Sequence, residues 1–296
     1  MKRIMCIFLS FCSSALAANG EKGPTGLPRK KPATEYYEHE PPTSKLFNID
    51  VGLTAYYRDY KEKLPSPKKS EERGVLTGFY GSFEYDPGKA FYAQIYGDWN
   101  QGRTIYDGSL QDNSGNFAGY ASGHTDNKLY DIFAKFGFTI PIDSSVSVTP
   151  FVGYGLHEWQ RLNIGCAGNT SGSCYSEIYS WNYFLFGLRV PINVSPVWQL
   201  VPMVQVMQMS EGEIELEGLN FSDNVGKLGN KIHYYVNVRS AFFFEKNLSV
   251  TATPFFTSRP IGQGDNNATG TIGITWSEPA STTYTYGLNV GLMLVF

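Results

Sequence analysis

The feature that most constrains this chain is a period-two alternation of apolar and polar residues, which recurs in ten segments after residue 45. The first segment runs from Phe47 to Tyr57, and the last runs from Tyr284 to Phe296. Successive side chains of a β-strand point to opposite faces, so each segment predicts a strand with one apolar face and one polar face. The least regular of the ten lies around residues 199–207.

The connections between these segments alternate in length. The long ones cover about 61–73, 101–127, 161–177, 211–230 and 260–281, and the short ones cover about 86–89, 141–145, 191–196 and 245–247. A soluble β-sandwich has no reason to gather its long loops at one end, whereas an outer-membrane barrel has short periplasmic turns and long external loops. We therefore predict an all-β fold, a closed antiparallel transmembrane β-barrel of about ten strands in an up-and-down meander. It covers 46–296, with both ends in the periplasm of a Gram-negative cell.

Composition agrees with this prediction. Aromatic residues make up 15% of the chain and charged residues 17%, against the roughly 25% charged residues of soluble domains. The 24 basic and 27 acidic residues nearly balance, which argues against a nucleic-acid partner. We expect outer-membrane lipid and lipopolysaccharide as partners, and no cofactor.

The first 45 residues are expected to lie outside the barrel. A short basic start and an apolar stretch precede Ala15-Leu16-Ala17, which matches the cleavage pattern of a secretory signal peptide, so we assign 1–17 to that signal. Residues 18–45 contain several prolines and no apolar period. They are predicted to form a flexible periplasmic tail.

Two cysteines remain after removal of the signal. Cys166 and Cys174 lie eight residues apart in a Gly-, Ser- and Asn-rich stretch. In an exported protein such a pair favours a disulfide that closes a loop. A zinc site is the alternative, but the loop contains no His, and two thiols leave the coordination sphere of zinc incomplete.

Three prolines fall within predicted strands. Pro150, Pro202 and Pro254 are spaced 52 residues apart, and each is flanked by apolar residues or threonine. Proline lacks the N–H that a strand ladder needs, and a closed barrel has no edge at which to place it. The register around these prolines is therefore open, and we expect each to lie near a bulge or the periplasmic rim.

The polar faces of the predicted strands carry isolated charges of both signs. We predict that these side chains point into the lumen and form a structural network across a narrow interior, which argues against a general diffusion pore. They are Asp50, Arg58, Glu84, Asp98, Asp131, Lys135, Arg189, Arg239 and Glu245. Aromatic residues near strand ends are predicted to form two interfacial girdles. They include Tyr57, Phe83, Tyr85, Phe91, Trp99, Tyr154, Trp181, Trp198, Tyr284 and Phe296.

The last strand resembles the C-terminal strand of bacterial outer-membrane barrels. It is alternately apolar and ends on an aromatic residue, and the resemblance implies that the barrel-assembly machinery reads it. The residues that would form this assembly signal are Tyr286, Leu288, Val290, Leu292, Leu294 and Phe296. The stretch from Thr149 to Gly155 also resembles a strand of the small opacity-type barrels, a group that includes adhesins and immune-evasion proteins.

The chain contains isolated residues that two kinds of outer-membrane hydrolase, a protease and a lipid hydrolase, would use in catalysis. Omptins are ten-stranded outer-membrane proteases with paired Asp residues and an Asp/His pair near the outer rim. Here Asn100 stands two residues after Asp98, in place of the second Asp, and a His/Asp pair occurs as His124 with Asp126. A lipid hydrolase would need a Ser–His–acid set, and the candidates are His157 with Glu158 and the serines of the loops, a combination that chance alone readily supplies. We expect no enzyme activity and assign no catalytic or cofactor-binding residue.

An acidic ladder continues the seventh segment beyond the membrane. Four carboxylates at period two could gather divalent cations, which prefer oxygen ligands, or could merely keep an extended strand soluble, and we favour the second interpretation. They are Glu211, Glu213, Glu215 and Glu217. The first long loop, 61–73, is by contrast mainly basic.

The sequence thus predicts a non-enzymatic outer-membrane barrel that exposes five loops for surface interaction, in adhesion or envelope integrity. The alternatives are a narrow, porin-like channel for small solutes and, after that, an omptin-like protease or lipid hydrolase.

Overall fold

The computed structural model describes residues 46–111, 117–164, 175–217, 225–264, 268–269, 275–276 and 278–296. The predicted signal peptide and tail, as well as Cys166 and Cys174, lie outside the described residues. The strands are β1 (Phe47–Glu62), β2 (Ser70–Tyr85), β3 (Ala90–Gln111), β4 (Phe117–Pro141), β5 (Ser147–Ile164), β6 (Tyr175–Arg189), β7 (Ile192–Ser195), β8 (Trp198–Glu217), β9 (Val225–Lys227), β10 (Ile232–Glu245), β11 (Leu248–Ile261), β12 (Ala268–Thr269), β13 (Thr275–Trp276) and β14 (Ser281–Val295).

Ten of these strands form a closed antiparallel ring. Each long strand pairs with the next long strand in chain order, and β14 pairs with β1 along its whole length, from Asn48 opposite Val295 to Glu62 opposite Ser281. Closure leaves no strand edge in lipid, as a membrane-spanning sheet requires. The predicted ten-stranded meander is confirmed. Four short strands add to it: β7 and β9 pair with β8, and β12 pairs with β13.

The outer wall of the barrel is an apolar belt. Side chains such as Leu53, Phe79, Val152 and Phe184 point away from the ring and remain exposed, at the alternate positions that the sequence pattern predicts. The intervening residues, for example Thr54, point inward and are buried. No helix in the described residues is long and apolar enough to span a membrane.

The strands extend well beyond this belt on the side of the long connections. A membrane-spanning strand needs about 9–11 residues, whereas β3 has 22 and β4 has 25. As the acidic ladder predicts, 211–217 continues β8. Much of the stretch predicted as a loop between 101 and 127 is also strand, and the same holds for 70–73 and 161–164. The prediction of loops there was wrong, because the apolar period ends at the membrane boundary while the backbone ladder continues past it.

Each of the three prolines lies where the ladder is interrupted or ends. The pairing of β4 with β5 skips residues 138–139, opposite Pro150, and the pairing of β10 with β11 skips 238–239, opposite Pro254. Pro202 lies near the start of β8, just beyond the end of its pairing with β6. A missing N–H is tolerated at such places because no partner requires it.

Aromatic side chains lie over glycines of the adjacent strand in the interior, as Tyr183 does opposite Gly155 and Phe255 does opposite Gly287. A Cβ at Gly155 would come within 2.3 Å of the Tyr183 ring, and one at Gly287 within 2.3 Å of the Phe255 ring. Trp181 also lies inside, 4% exposed, with its ring 4.2 Å from that of His157. Its predicted place in an outer girdle was wrong, because Trp181 lies two residues from the inward-facing Tyr183, and alternate residues of a strand point to the same face.

Candidate functional site

The polar side chains of the interior form three levels, which we call tiers and order from the short turns toward the long connections. The lower tier consists of Asp50, Glu84, Lys135, Arg189 and Arg239. The middle tier consists of Asp98, Asp131, His157, Tyr183 and Arg259. The upper tier consists of Glu62, Glu72, Arg161, Glu177 and Glu278. All fifteen side chains belong to the inward face of a barrel strand, except Glu278, which precedes β14.

In the lower tier one carboxylate is shared by two guanidinium groups. Oε1 of Glu84 lies 3.4 Å from Nη2 of Arg189 and 3.3 Å from Nη2 of Arg239. Arg189 also meets Asp86 at 3.0 Å. Since β2, β6 and β10 stand apart in the ring, these ion pairs bridge the bore and hold its walls together.

The middle tier contains an acid–imidazole pair covered by an arginine. Asp131 Oδ2 lies 3.2 Å from His157 Nδ1, and Tyr183 donates to the other oxygen of the same carboxylate. Arg259 Nη2 donates to Asp131, while its Nη1 lies 2.8 Å from Nδ1 of His157 and 3.2 Å from Nε2. Arg259 and Asp131 stand on β11 and β4, which are five places apart in the ring of ten.

This arrangement restricts what His157 can do chemically. A general base needs a free imidazole nitrogen within hydrogen-bond reach of the proton that it removes. The guanidinium of Arg259 lies against both nitrogens, and the ring of Trp181 covers one face of the imidazole. The cluster therefore connects opposite walls of the bore, through the contacts of the Asp131 carboxylate with Arg259 and His157.

The upper tier is built around Arg161, which is buried. Its guanidinium donates to Glu72 at 3.0 Å from Nε and also to Glu177. The same Glu72 accepts hydrogen bonds from Thr104 and Asn127. A single arginine on β5 thus connects the adjacent β6 with β2, three places away in the ring, above the membrane.

Two further carboxylates stand beside this group. Glu278 accepts hydrogen bonds from Tyr179 at 2.8 Å and from Tyr60 at 3.3 Å, and Ser70 donates to Glu62 at 2.6 Å. Burial raises the pKa of Glu62, and burial together with the nearby Glu177 and Glu62 raises the pKa of Glu278 well above its ordinary value. The four carboxylates of the tier thus surround one arginine, and the raised pKa values of Glu62 and Glu278 favour their neutral forms.

The upper tier lies outside the membrane, as the outer wall at the same level shows. Arg103 pairs with Asp126 at 2.9 Å, and Arg73 pairs with Glu71 at 2.9 Å, all on the outer face. Lipid does not accommodate such a charged wall, because charged side chains on the lipid face of a barrel cost several kcal/mol near the midplane.

Most of the charges predicted for the lumen are found there. Asp50, Arg58, Glu84, Asp131, Lys135 and Arg189 are buried, and Asp98 and Arg239 are half-buried within the bore. Glu245 is exposed at the end of β10, so its prediction was wrong. That strand ends at the short turn, where an inward position already meets solvent.

Sequence reasoning missed the upper tier. Glu72, Arg161 and Glu177 fall in stretches that were predicted as loops. The alternation of side chains along a strand could have found them. Glu72 is an even number of residues from the inward-facing Glu84 on β2, and Arg161 is an even number from the inward-facing His157 on β5. Arg259 was missed because it lies just beyond Thr257, where the ninth alternating segment was predicted to end, whereas β11 continues to Ile261.

The hydrolase markers do not come together. Asn100 donates to Asp98 at 2.7 Å inside the barrel, but His124 is exposed on the outer wall, where Asp126 holds Arg103. The neighbour of His157 in sequence, Glu158, points outward and accepts from Gln160. The barrel wall therefore separates the groups that an omptin-like or a Ser–His site would have to unite.

The acidic ladder stands on the outer face of β8, where all four glutamates are exposed. Glu211 accepts a hydrogen bond of 2.7 Å from Asn182 and has a positive φ of 50° at a bulge between β6 and β8. Within the part of the chain that the structure describes, no three His, Cys, Asp or Glu side chains are grouped so that they could hold a metal ion. A role of the ladder in keeping the strand soluble stays the prediction, and cation binding stays its alternative.

Comparison with known proteins gives the fold and no closer relationship. No protein-family model matches the chain, and no curated protein matches it in sequence. The outer membrane protease OmpT from Escherichia coli is similar in structure, with 11% identity, a TM-score of 0.57, and coverage of 86% of this chain and 98% of OmpT.

Two further solved barrels match less well. The translocator domain of the autotransporter NalP from Neisseria meningitidis has 13% identity and a TM-score of 0.41, over 85% of this chain and 88% of that domain. The outer membrane protein OprG from Pseudomonas aeruginosa has 8% identity and a TM-score of 0.34, over 87% and 99%. At such identities a likeness concerns the fold and says nothing about activity.

The fold is therefore that of an outer-membrane β-barrel. A closed ring of tilted strands with an apolar outer belt and a polar interior is the architecture with which proteins cross the Gram-negative outer membrane. The belt of exposed apolar side chains and the charged wall above it place this chain in that membrane.

Proposed function

We propose that this barrel is a non-enzymatic, non-conducting scaffold that exposes its external loops for surface interaction, in adhesion or in envelope integrity. The observation that carries the proposal is the closure of the bore by three tiers of side chains. Arg259 and Asp131, from opposite walls, meet in the middle of the barrel. The middle and lower tiers line small cavities of about 50 and 60 Å³.

A closed bore favours a role on the outside of the barrel. The hairpin of β3 and β4 rises farthest in chain length above the belt, and its end carries Phe117 and Tyr120 in edge-to-face contact at 4.9 Å. Tyr120 is exposed, and its hydroxyl donates to the carbonyl of Pro67, which attaches the hairpin to the first long connection. Exposed aromatic side chains held on a rigid base are well placed for recognition.

Membrane lipid and the assembly machinery complete the proposed partners. The apolar belt would contact acyl chains, and lipopolysaccharide would meet the charged wall above it. The proposed assembly signal on β14, from Tyr286 to Phe296, keeps its alternate side chains on the lipid face. Its recognition by the barrel-assembly machinery is part of the proposal.

Conductance and adhesion measurements test the two halves of this function. The purified full chain should give no steady open level in planar bilayers that contain lipopolysaccharide. A non-adherent Gram-negative strain that displays the chain should bind cultured epithelial cells, and Phe117→Ser with Tyr120→Ser should weaken that binding. Glu213→Gln with Glu215→Gln changes exposed side chains of another hairpin and serves as the control.

If adhesion is absent, envelope integrity becomes the function to test. A deletion strain should then take up a hydrophobic dye faster than its parent, and the full chain should restore the barrier. A steady conductance would replace this function by that of a narrow channel.

Hydrolysis is the second candidate, favoured by one observation. Asp98, Asp131 and His157 line the same cavity of about 50 Å³. Against it stands Arg259, which covers the imidazole. Cleavage of peptides or deacylation of lipid A at enzyme-like rates by the purified chain in lipopolysaccharide micelles, abolished by His157→Gln, would overturn the non-enzymatic proposal.

A further inference from the structure

Glu278 enters the outer end of the bore from outside the strand ladder. It precedes β14 and is not part of a strand, yet it is only 6% exposed. Two backbone hydrogen bonds attach its short segment. The N–H of Gly264 donates to the carbonyl of Glu278 at 2.8 Å, and the N–H of Lys63 donates to the carbonyl of Ala280 at 2.7 Å. The segment can therefore leave the bore while β14 stays paired with β1 and β11.

The contacts of this carboxyl group require that it carries a proton. The hydroxyl oxygen of Tyr179 lies 2.8 Å from Oε1 of Glu278 and 2.9 Å from Oε2 of Glu177. A phenol has one proton to donate and an ionised carboxylate has none, so one of the two carboxyl groups must supply the second proton. Arg161 donates to Glu177 and favours its ionised form. The proton is thereby left to Glu278, which can donate to Tyr179 while Tyr179 donates to Glu177.

Tyr60 connects Glu278 to a second carboxyl group. The hydroxyl oxygen of Tyr60 lies 3.0 Å from Oε1 of Glu62 and 3.3 Å from Oε1 of Glu278, and Ser70 donates to Glu62 at 2.6 Å. Burial raises the pKa of both carboxyl groups, and that of Glu278 is raised well above its ordinary value. At a pH below this raised pKa, a neutral Glu278 fits between the two phenols.

No cation is left to hold Glu278 once it ionises. Arg161 is shared by Glu72 and Glu177, and no basic side chain among the described residues lies within ion-pair distance of Glu278. Together with Arg58, which stacks on the ring of Trp159 at 3.7 Å, two arginines match the two carboxylates that remain ionised. An ionised Glu278 would be a third anion, and burial of an uncompensated charge is costly.

The elements packed around Glu278 offer no further cation within the part of the chain that the structure describes. The titratable groups at this end of the bore are Arg58, Tyr60 and Glu62 on β1, Glu72 on β2, Tyr106 on β3, Arg161 on β5, and Tyr175, Glu177 and Tyr179 on β6. The apolar groups beside them are Ile214 and Leu216 on β8 and Ile261 on β11.

We propose that Glu278 is a proton-controlled latch at the outer end of the barrel. In its neutral form the carboxyl group lies between Tyr60 and Tyr179 and anchors residues 278–280 in the bore. When it ionises, its proton passes to water, the carboxylate moves into the solvent above the tier, and the segment detaches from Gly264 and Lys63. The middle tier stays closed, so the latch alters the outer surface of the barrel and leaves the bore sealed, independently of what the external loops bind.

Hydrogen exchange at the two amides that hold this segment tests the latch. In the full chain in vesicles, the protection of the Lys63 and Gly264 amides, corrected for the intrinsic exchange rate, should fall about tenfold per pH unit above about pH 4.3. It should level off above the pKa of the folded Glu278, because opening then no longer releases a proton. The amide of Phe47, which donates to Phe296 at 2.9 Å at the opposite end of β1, should keep its protection.

The variant Glu278→Gln keeps the shape of a neutral carboxyl group and cannot ionise. It should remove the pH dependence of protection at Lys63 and Gly264. Glu217→Gln, at an exposed position of β8, is the matched control and should leave that dependence unchanged. Protection that does not vary with pH would overturn the latch, as would an equal loss at Phe47 or a dependence that persists in Glu278→Gln. If Glu278→Gln does not fold, the pH series of the unaltered chain decides.

Discussion

Replacing Arg161 by methionine should destabilise the barrel strongly. The guanidinium is buried and holds two buried carboxylates, Glu72 and Glu177, from different strands. Its removal leaves both anions without their cation, and breaking a buried ion pair costs about 3–5 kcal/mol. Since whole domains are stable by about 5–15 kcal/mol, the variant should lose a large share of its stability.

Urea unfolding in lipid vesicles, followed by tryptophan fluorescence, measures this loss. Trp159 is a suitable reporter, because Arg58 stacks on its ring at 3.7 Å and Arg161 lies 5.3 Å away. Arg161→Lys keeps the charge but not the fork of donors, and should lie between the parent and Arg161→Met. Adding Glu72→Gln to Arg161→Met should recover part of the loss. A decrease of less than about 1 kcal/mol in the free energy of unfolding, the value of an exposed ion pair, would refute the argument that the ion pairs of this tier are shielded from water and stabilise the barrel.

Three further predictions follow from the same structure. Burial raises the pKa of Glu278, so the folded chain keeps a proton that the unfolded chain releases above about pH 4.3. The free energy of unfolding should therefore fall as pH rises above that value. Glu278→Gln should flatten this decline when the free energy of unfolding is measured over a series of pH values. Gly155→Ala should cost about 1–3 kcal/mol in urea unfolding, because its Cβ would meet the Tyr183 ring at 2.3 Å, whereas Gly97→Ala, whose nearest neighbour is at 3.7 Å, should be near neutral. Val152→Lys, at a position 63% exposed in the belt, should cost about 2–4 kcal/mol in vesicles; an equal effect in detergent-free buffer, with the chain still folded, would contradict a lipid-facing wall.

The sequence by itself determines the class of fold and the direction in which each side chain points. A period of two with apolar residues on one face leaves a membrane chain one solution, a closed sheet with that face toward lipid. The inward charges Glu84, Lys135 and Arg189 were predicted from parity alone, and the structure finds them buried in the bore. Parity is a local property, so it can be read from the order of residues.

The tertiary structure decides which inward groups meet and where the strands end. Arg259 and Asp131 lie 128 residues apart in the chain, and only the register and closure of the ring bring them together across the bore. The length of the strands above the belt likewise cannot be read from hydropathy, because beyond the lipid both faces become polar and the period-two pattern fades. The bracing of the bore therefore depends on partners that strand pairing selects, whereas the barrel itself follows from the alternation of single residues along the chain.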